Sequence, residues 1–164
     1  MYKTNDYLVY GRDVCKVCKI EEKKFNNEDY YLLRPIKDPS LKIEIPVSNK
    51  TNKIRDLITK DDIEKLIQEI PKTQEIATEE KFLESEYKLL LANASRKDLI
   101  KIIKTTYLRN KEREDNNKKK AEKDTKYFKL AEEYLYNELS IVLGYTFEET
   151  KNYIINKVKK LKTN

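Results

Sequence analysis

Histidine and tryptophan are absent from this chain, and glycine, proline and cysteine are scarce, with two, four and two residues among 164. Without histidine, the commonest general base and the commonest transition-metal ligand are missing. Two glycines cannot build a glycine-rich phosphate cradle, and none of the nucleotide-loop patterns occurs. No apolar run approaches the ~18 residues of a membrane-spanning helix. Residues 1–10 are polar and aromatic, without the apolar centre of a secretory signal, so the expected location is cytoplasmic.

The two cysteines, Cys15 and Cys18, have CxxC spacing. A structural zinc site takes four Cys or His ligands, so two thiols do not make one, and no metal is expected. Both fall in residues 14–20, which read as a strand, where side chains three apart point to opposite faces and cannot readily bridge. They are expected to be free thiols, as in a reducing compartment. Serines have no histidine to activate them. The paired carboxylates Asp61/Asp62, Glu79/Glu80, Glu132/Glu133 and Glu148/Glu149 mostly begin helices, where they complement the helix dipole. No catalytic residue and no cofactor are expected.

What the chain does have is charge, tyrosine and two different periodicities. The first 58 residues read as β. Tyr7–Tyr10 ends in a turn at Gly11-Arg12-Asp13, and Asn26-Asn27-Glu28-Asp29 separates two further apolar stretches. Leu41, Ile43, Ile45 and Val47 alternate with Lys42, Glu44 and Pro46, a period of two that indicates a half-buried strand. Pro46 cannot donate to a ladder, so this strand, or its end, belongs at an edge. Short strands with tight turns predict a small, strongly bent sheet or partial barrel.

From residue 59 the period becomes helical. Thr59…Asp62 and Ser95…Asp98 are capping boxes in kind, each a hydroxyl followed three residues later by a carboxylate. Ile63, Leu66, Ile67 and Ile70 form one apolar stripe, ended by Pro71. Thr78 is expected to cap a helix with Phe82, Leu83, Tyr87, Leu90 and Leu91 inward. The next helix has Leu99, Ile100, Ile103, Tyr107 and Leu108 on its stripe. A long helix follows from about residue 122 to 143, closed by a left-handed Gly144, and Thr146 opens the last. The fold class is therefore α+β, a small β-domain over 1–58 and an all-helical domain over 59–164.

The net charge of +6 is unevenly placed, because residues 86–129 carry 14 basic and 7 acidic groups. Lys97, Lys101 and Lys104 share one helix face, and Arg109, Lys111 and Arg113 extend the charge, with only Asp98 opposing before Glu112. Two readings stand: a solvated helix face, and a surface for nucleic-acid phosphates. In the second, binding is largely independent of sequence and sensitive to salt, since no base-reading motif is present. Most of the twelve tyrosines fall on apolar stripes and read as core.

An ordered series of segments resembles the CarD family of transcription regulators, in the form found in low-GC Gram-positive bacteria. Tyr7-Leu8-Val9-Tyr10-Gly11 with Val14-Cys15-Lys16-Val17 is similar to its opening, and Tyr30-Tyr31-Leu32-Leu33-Arg34-Pro35 and Ile43-Glu44-Ile45-Pro46-Val47-Ser48-Asn49 to its later strands. Ile67-Gln68-Glu69-Ile70-Pro71, Asp98-Leu99-Ile100-Lys101-Ile102-Ile103-Lys104-Thr105 and Tyr107-Leu108-Arg109-Asn110-Lys111-Glu112-Arg113 resemble its helical segments. Ala131-Glu132, Leu135-Tyr136-Asn137-Glu138-Leu139 and Leu143-Gly144 resemble its penultimate helix.

The resemblance implies a Tudor-like N-terminal domain, shared with the polymerase-interacting module of the transcription-repair coupling factor, that pairs a strand with the RNA polymerase β subunit. Leu41, Lys42, Ile43, Glu44, Ile45 and Pro46 are then the polymerase-binding segment. It also implies a helical domain at promoter DNA, at the upstream edge of the transcription bubble, with an effect on open-complex stability. Lys97, Lys101, Lys104, Arg109, Lys111 and Arg113 become its DNA-binding residues. Family members wedge a tryptophan against the minor groove. This chain has none, and Ile76 or Phe82 falls near that place. The expected protein is a cytoplasmic monomer and not an enzyme. The rivals are an adaptor whose helical domain recruits another protein, and a general RNA-associated basic protein.

Overall fold

A computed structural model describes residues 1–163. The chain divides into two compact units, Met1–Ile58 and Thr59–Asn164. The first is a five-stranded antiparallel sheet and the second is helical, so the fold is α+β.

The sheet comprises β1 (Tyr7–Tyr10), β2 (Asp13–Phe25), β3 (Glu28–Pro35), β4 (Ile43–Pro46) and β5 (Ile54–Arg55), in the order β4-β3-β2-β1-β5. Gly11, at φ 61°, begins the two-residue turn between β1 and β2, and its N–H bonds Lys53 O at 2.9 Å, which brings β5 alongside β1. Asn26 and Asn27, at φ 50° and 60°, make the turn between β2 and β3, where both central residues must be left-handed to match the strand twist. Of the eight described non-glycine residues with positive φ, six are asparagine. Register shifts in β2 at Val17/Lys19 and Glu21/Phe25 are bulges that bend the strand. One face is the core, with Leu8, Cys15, Val17, Tyr31, Leu33, Ile45 and Ile54. Tyr2 covers its margin: its ring meets Tyr31 edge-on at 5.9 Å, its N–H bonds the Tyr31 hydroxyl, and its own hydroxyl bonds Asp56.

The helical unit comprises α1 (Lys60–Glu69), α2 (Leu83–Asn93), α3 (Arg96–Asp115), α4 (Glu122–Leu143) and α5 (Phe147–Thr163), with 3-10 turns at Ile70–Lys72 and Glu80–Phe82. Thr59 and Ser95 cap α1 and α3 through bonds of 3.1 Å from the Asp62 and Asp98 N–H groups. Gly144 ends α4 at φ 70°. Thr78 does not cap α2, which begins later, after the 3-10 turn that carries Phe82. No helix is long and apolar enough to cross a membrane among the described residues.

The buried face of α3 differs from the expected apolar stripe. Leu99, Ile100, Ile102, Thr105, Thr106 and Asn110 are buried, whereas Tyr107 is 55% exposed. The reason is that polar residues take inner positions. Thr106 Oγ1 returns a bond to Ile102 O at 2.7 Å, and Asn110 holds both Thr125 Oγ1 and the Ala121 N–H. A count of apolar residues alone therefore rotates the face toward Tyr107.

Candidate functional site

Two surfaces carry the residues singled out above, one in each unit. In the β-unit it is the outer side of β4. Val47 N–H bonds Asp29 O at 2.9 Å, and β4 pairs with β3 through Tyr31↔Ile45 and Leu33↔Ile43. Alternate residues of an antiparallel strand share a hydrogen-bonding direction, so Ile43, Ile45 and Val47 address β3. Glu44 and Pro46 therefore turn their backbone groups to the open edge. The Pro46 carbonyl accepts from Asn49 N–H at 3.1 Å, and proline has no N–H, so the Glu44 N–H and C=O are what the edge offers. Ile45 is buried in the core, and the Glu44 side chain projects to the opposite face, where Lys24 bridges it to Glu21.

The strand is shorter than its alternation suggests. Leu41 lies outside it, 53% exposed, because residues 38–41 close a turn with Leu41 N–H on Asp38 O. Lys42 likewise precedes β4.

Cys15 is buried in the core of this unit and Cys18 is half-buried beside a bulge; both are free. Burial, reinforced by Asp13, pushes the Cys15 thiol up to about 12.

In the helical unit the six expected DNA-binding cations separate into two groups. Lys97, Lys101 and Lys111 lie along one face of α3 and have no carboxylate partner among the described residues. The other three are engaged within the protein. Lys104 Nζ donates to Ile70 O, Pro71 O and Thr73 O at 3.3, 3.1 and 2.6 Å, a cluster of carbonyls at the end of α1 and its 3-10 turn, where Ile70 O also accepts from the Thr73 N–H at 3.2 Å. Arg109 Nε bonds Asp124 Oδ2 at 3.1 Å and its terminal nitrogen reaches Glu80 at 2.8 Å. Asp124 is fully buried, and a buried carboxylate requires such partners. Arg113 Nε bonds Lys119 O at 2.8 Å across the loop after α3. Lys104 and Arg109 thus leave the expected phosphate-facing set, because their donors satisfy groups brought near by the fold.

Asp124 also accepts from the Tyr87 hydroxyl at 2.7 Å, and Tyr87 packs on Tyr127 at 5.0 Å. Burial first, and the Asp124 bond second, push the Tyr87 phenol up. Glu80, held by Arg109 and Lys123, is lowered. A shallow cleft of about 260 Å³ opens beside Glu80, lined also by Arg109, Glu112, Arg113, Asn116 and Lys118, so three cations face two carboxylates there.

Phe82 is 50% exposed beside Lys81, whose Nζ is 5.0 Å from the ring, and Leu89, two turns along α2, is also exposed. Ile76 is half-buried and tethered by its N–H to Thr105 Oγ1 at 3.0 Å. Of the two wedge candidates, Phe82 is the more exposed side chain. Arg96, which grips the buried Glu138 through two bonds of 3.3 and 2.5 Å, was not singled out by spacing. Its partner is 42 residues away, and no local pattern marks the pair.

No protein-family model matches this chain, and no curated protein matches it.

Proposed function

We propose that this protein regulates transcription initiation by engaging RNA polymerase and promoter DNA together. The β-unit, read as a Tudor-like module, adds the edge of β4 to a strand of the polymerase β subunit. The helical unit approaches promoter DNA at the upstream edge of the bubble and alters the stability of the open complex. Lys97, Lys101 and Lys111 meet phosphates, and Phe82 stands as the apolar wedge in place of tryptophan.

The observation that carries this reading is the open edge of β4, since an unpaired ladder is what another chain extends. The identity of the partner comes from the resemblance to CarD proteins, and the uncompensated lysines of α3 support contact with DNA. About three phosphate contacts give a fall of log affinity against log salt with slope about −3. Such binding is weak alone, about 10⁻⁴ to 10⁻⁶ M, and attachment to polymerase raises the local concentration. The protein then acts as a cytoplasmic monomer without cofactor.

The test is retention of the polymerase β subunit by the immobilised full chain, together with open-complex lifetime on a native promoter. Retention with an altered lifetime is the expected result, and no retention of β sinks the reading. The exposed Phe82 and Leu89 favour the adaptor alternative, in which the helical unit recruits a protein. In that case a Lys97→Glu/Lys101→Glu variant acts on the promoter as the parent does.

A further inference from the structure

Tyr107 is the most exposed of the described tyrosines, and no ring contact, hydrogen bond or ion pair engages it among the described residues. It sits on α3 one turn before Lys111 and one turn after Ile103 and Lys104. Residues three and four apart on a helix are surface neighbours, so its ring adjoins the lysine face. Lys97 and Lys101 continue that face toward the start of the helix. The acids of α3 are Asp98, in its first turn three residues before Lys101, Glu114, which Lys120 occupies at 3.3 Å, and Glu112 and Asp115 past Lys111; none of them is ion-paired to Lys97, Lys101 or Lys111 among the described residues. An open aromatic ring beside cations without carboxylate partners combines the two elements of a single-strand site: charge for the backbone and a plane for the bases.

We infer that Tyr107 is a stacking residue for an unpaired base of single-stranded DNA, whose phosphates lie on Lys111, Lys101 and Lys97. The inference rests on the nucleic-acid reading above and deepens it, because it names the strand state that α3 prefers. Contact with duplex phosphates needs the lysines alone, and a stacked base needs a strand whose bases are free. Stacking tolerates any base, which agrees with the absence of a base-reading motif.

The experiment uses the full chain and labelled DNA at about 50 mM salt. The probes are an oligothymidine of about 20 nucleotides and a duplex of equal length. Tyr107→Ala is expected to weaken oligothymidine binding about tenfold and leave the duplex unchanged, and Tyr107→Phe to bind as the parent does. Because the chain has no tryptophan, Tyr107→Trp places a single reporter there, and oligothymidine should quench its fluorescence more than duplex does. Equal binding of oligothymidine by parent and Tyr107→Ala overturns the inference, as does an equal loss on both DNAs. Duplex binding by the parent without single-strand binding overturns it and leaves the broader reading standing. Binding of neither DNA removes both.

Discussion

At the residue scale, the buried Asp124 organises the helical unit. Its carboxylate is fully buried and receives the Tyr87 hydroxyl and the Arg109 guanidinium. Asp124→Leu removes the acceptor from both and leaves a half-buried cation whose remaining partner is the exposed Glu80. The expected loss is about 3–5 kcal/mol, read from urea unfolding of the full chain. A loss within the scatter of surface substitutions would show that the network adds nothing. Glu80, at the exposed end, is a smaller matter: Glu80→Gln should cost about 0.2–1 kcal/mol at neutral pH. Its carboxyl is lowered, chiefly by the Arg109 bond, so its contribution is present above the ordinary value of about 4.3 and fades as pH falls through the lowered one. Parent and Glu80→Gln stabilities should therefore converge in acid; a gap that persists in acid would assign the loss to packing.

The two cysteines differ in burial, Cys15 being buried and Cys18 half-buried. Cys15 is raised to about 12, so its contribution is full below the ordinary thiol value and is lost as pH rises through about 12. A thiol reagent at mildly alkaline pH should modify Cys18 in the folded chain and reach Cys15 only on unfolding. Equal rates at both positions would contradict the burial of Cys15.

At the element scale, β4 permits a substitution aimed at one side of a strand. Glu44 turns its N–H away from β3, so Glu44→Pro removes that outward donor and none of the inward ones. The variant should keep its fold by circular dichroism and lose the polymerase β subunit; retention of β would exclude strand pairing at this edge. Lys104 is the counterpart in the helical unit. Lys104→Met strips the three carbonyls after α1 of their ammonium, at a cost of about 1.5–3 kcal/mol, yet should leave DNA affinity within about twofold of the parent. The pair Lys97→Glu and Lys101→Glu should do the reverse, leaving stability near the parent and weakening DNA.

These elements also mark how far the sequence was readable. The capping residues Thr59 and Ser95, Gly144 and the edge placement of Pro46 could all be found locally, because each acts within a few residues of itself. The duties of Lys104 and Arg109 could not, since Ile70–Lys72 and Asp124 reach them only through tertiary packing. The exposure of Tyr107 was hidden for a related reason, as Thr106 and Asn110 took the inner positions that an apolar count gives to larger side chains.

At the scale of the whole molecule, the proposal demands two contacts of different kind from one chain. Glu44→Pro should abolish the effect on open-complex lifetime while sparing DNA binding, and Lys97→Glu/Lys101→Glu should abolish it while sparing retention of β. Because each contact only supplies the other with local concentration, combining the changes should add nothing further. Additive loss would indicate two independent actions.

The left-handed asparagines have a consequence for the unfolded chain. Glycine at Asn5, Asn26, Asn27, Asn49, Asn52 and Asn117 would relax the backbone in the native turns, but it would also enlarge the ensemble that folding must order. The two effects are of similar size, about 0.4–1 kcal/mol per site, and oppose each other. A chain that writes its turns in asparagine instead of glycine searches fewer backbone states before its hairpins close. Asn26→Gly with Asn27→Gly should therefore slow refolding of the β2–β3 hairpin more than it changes the equilibrium.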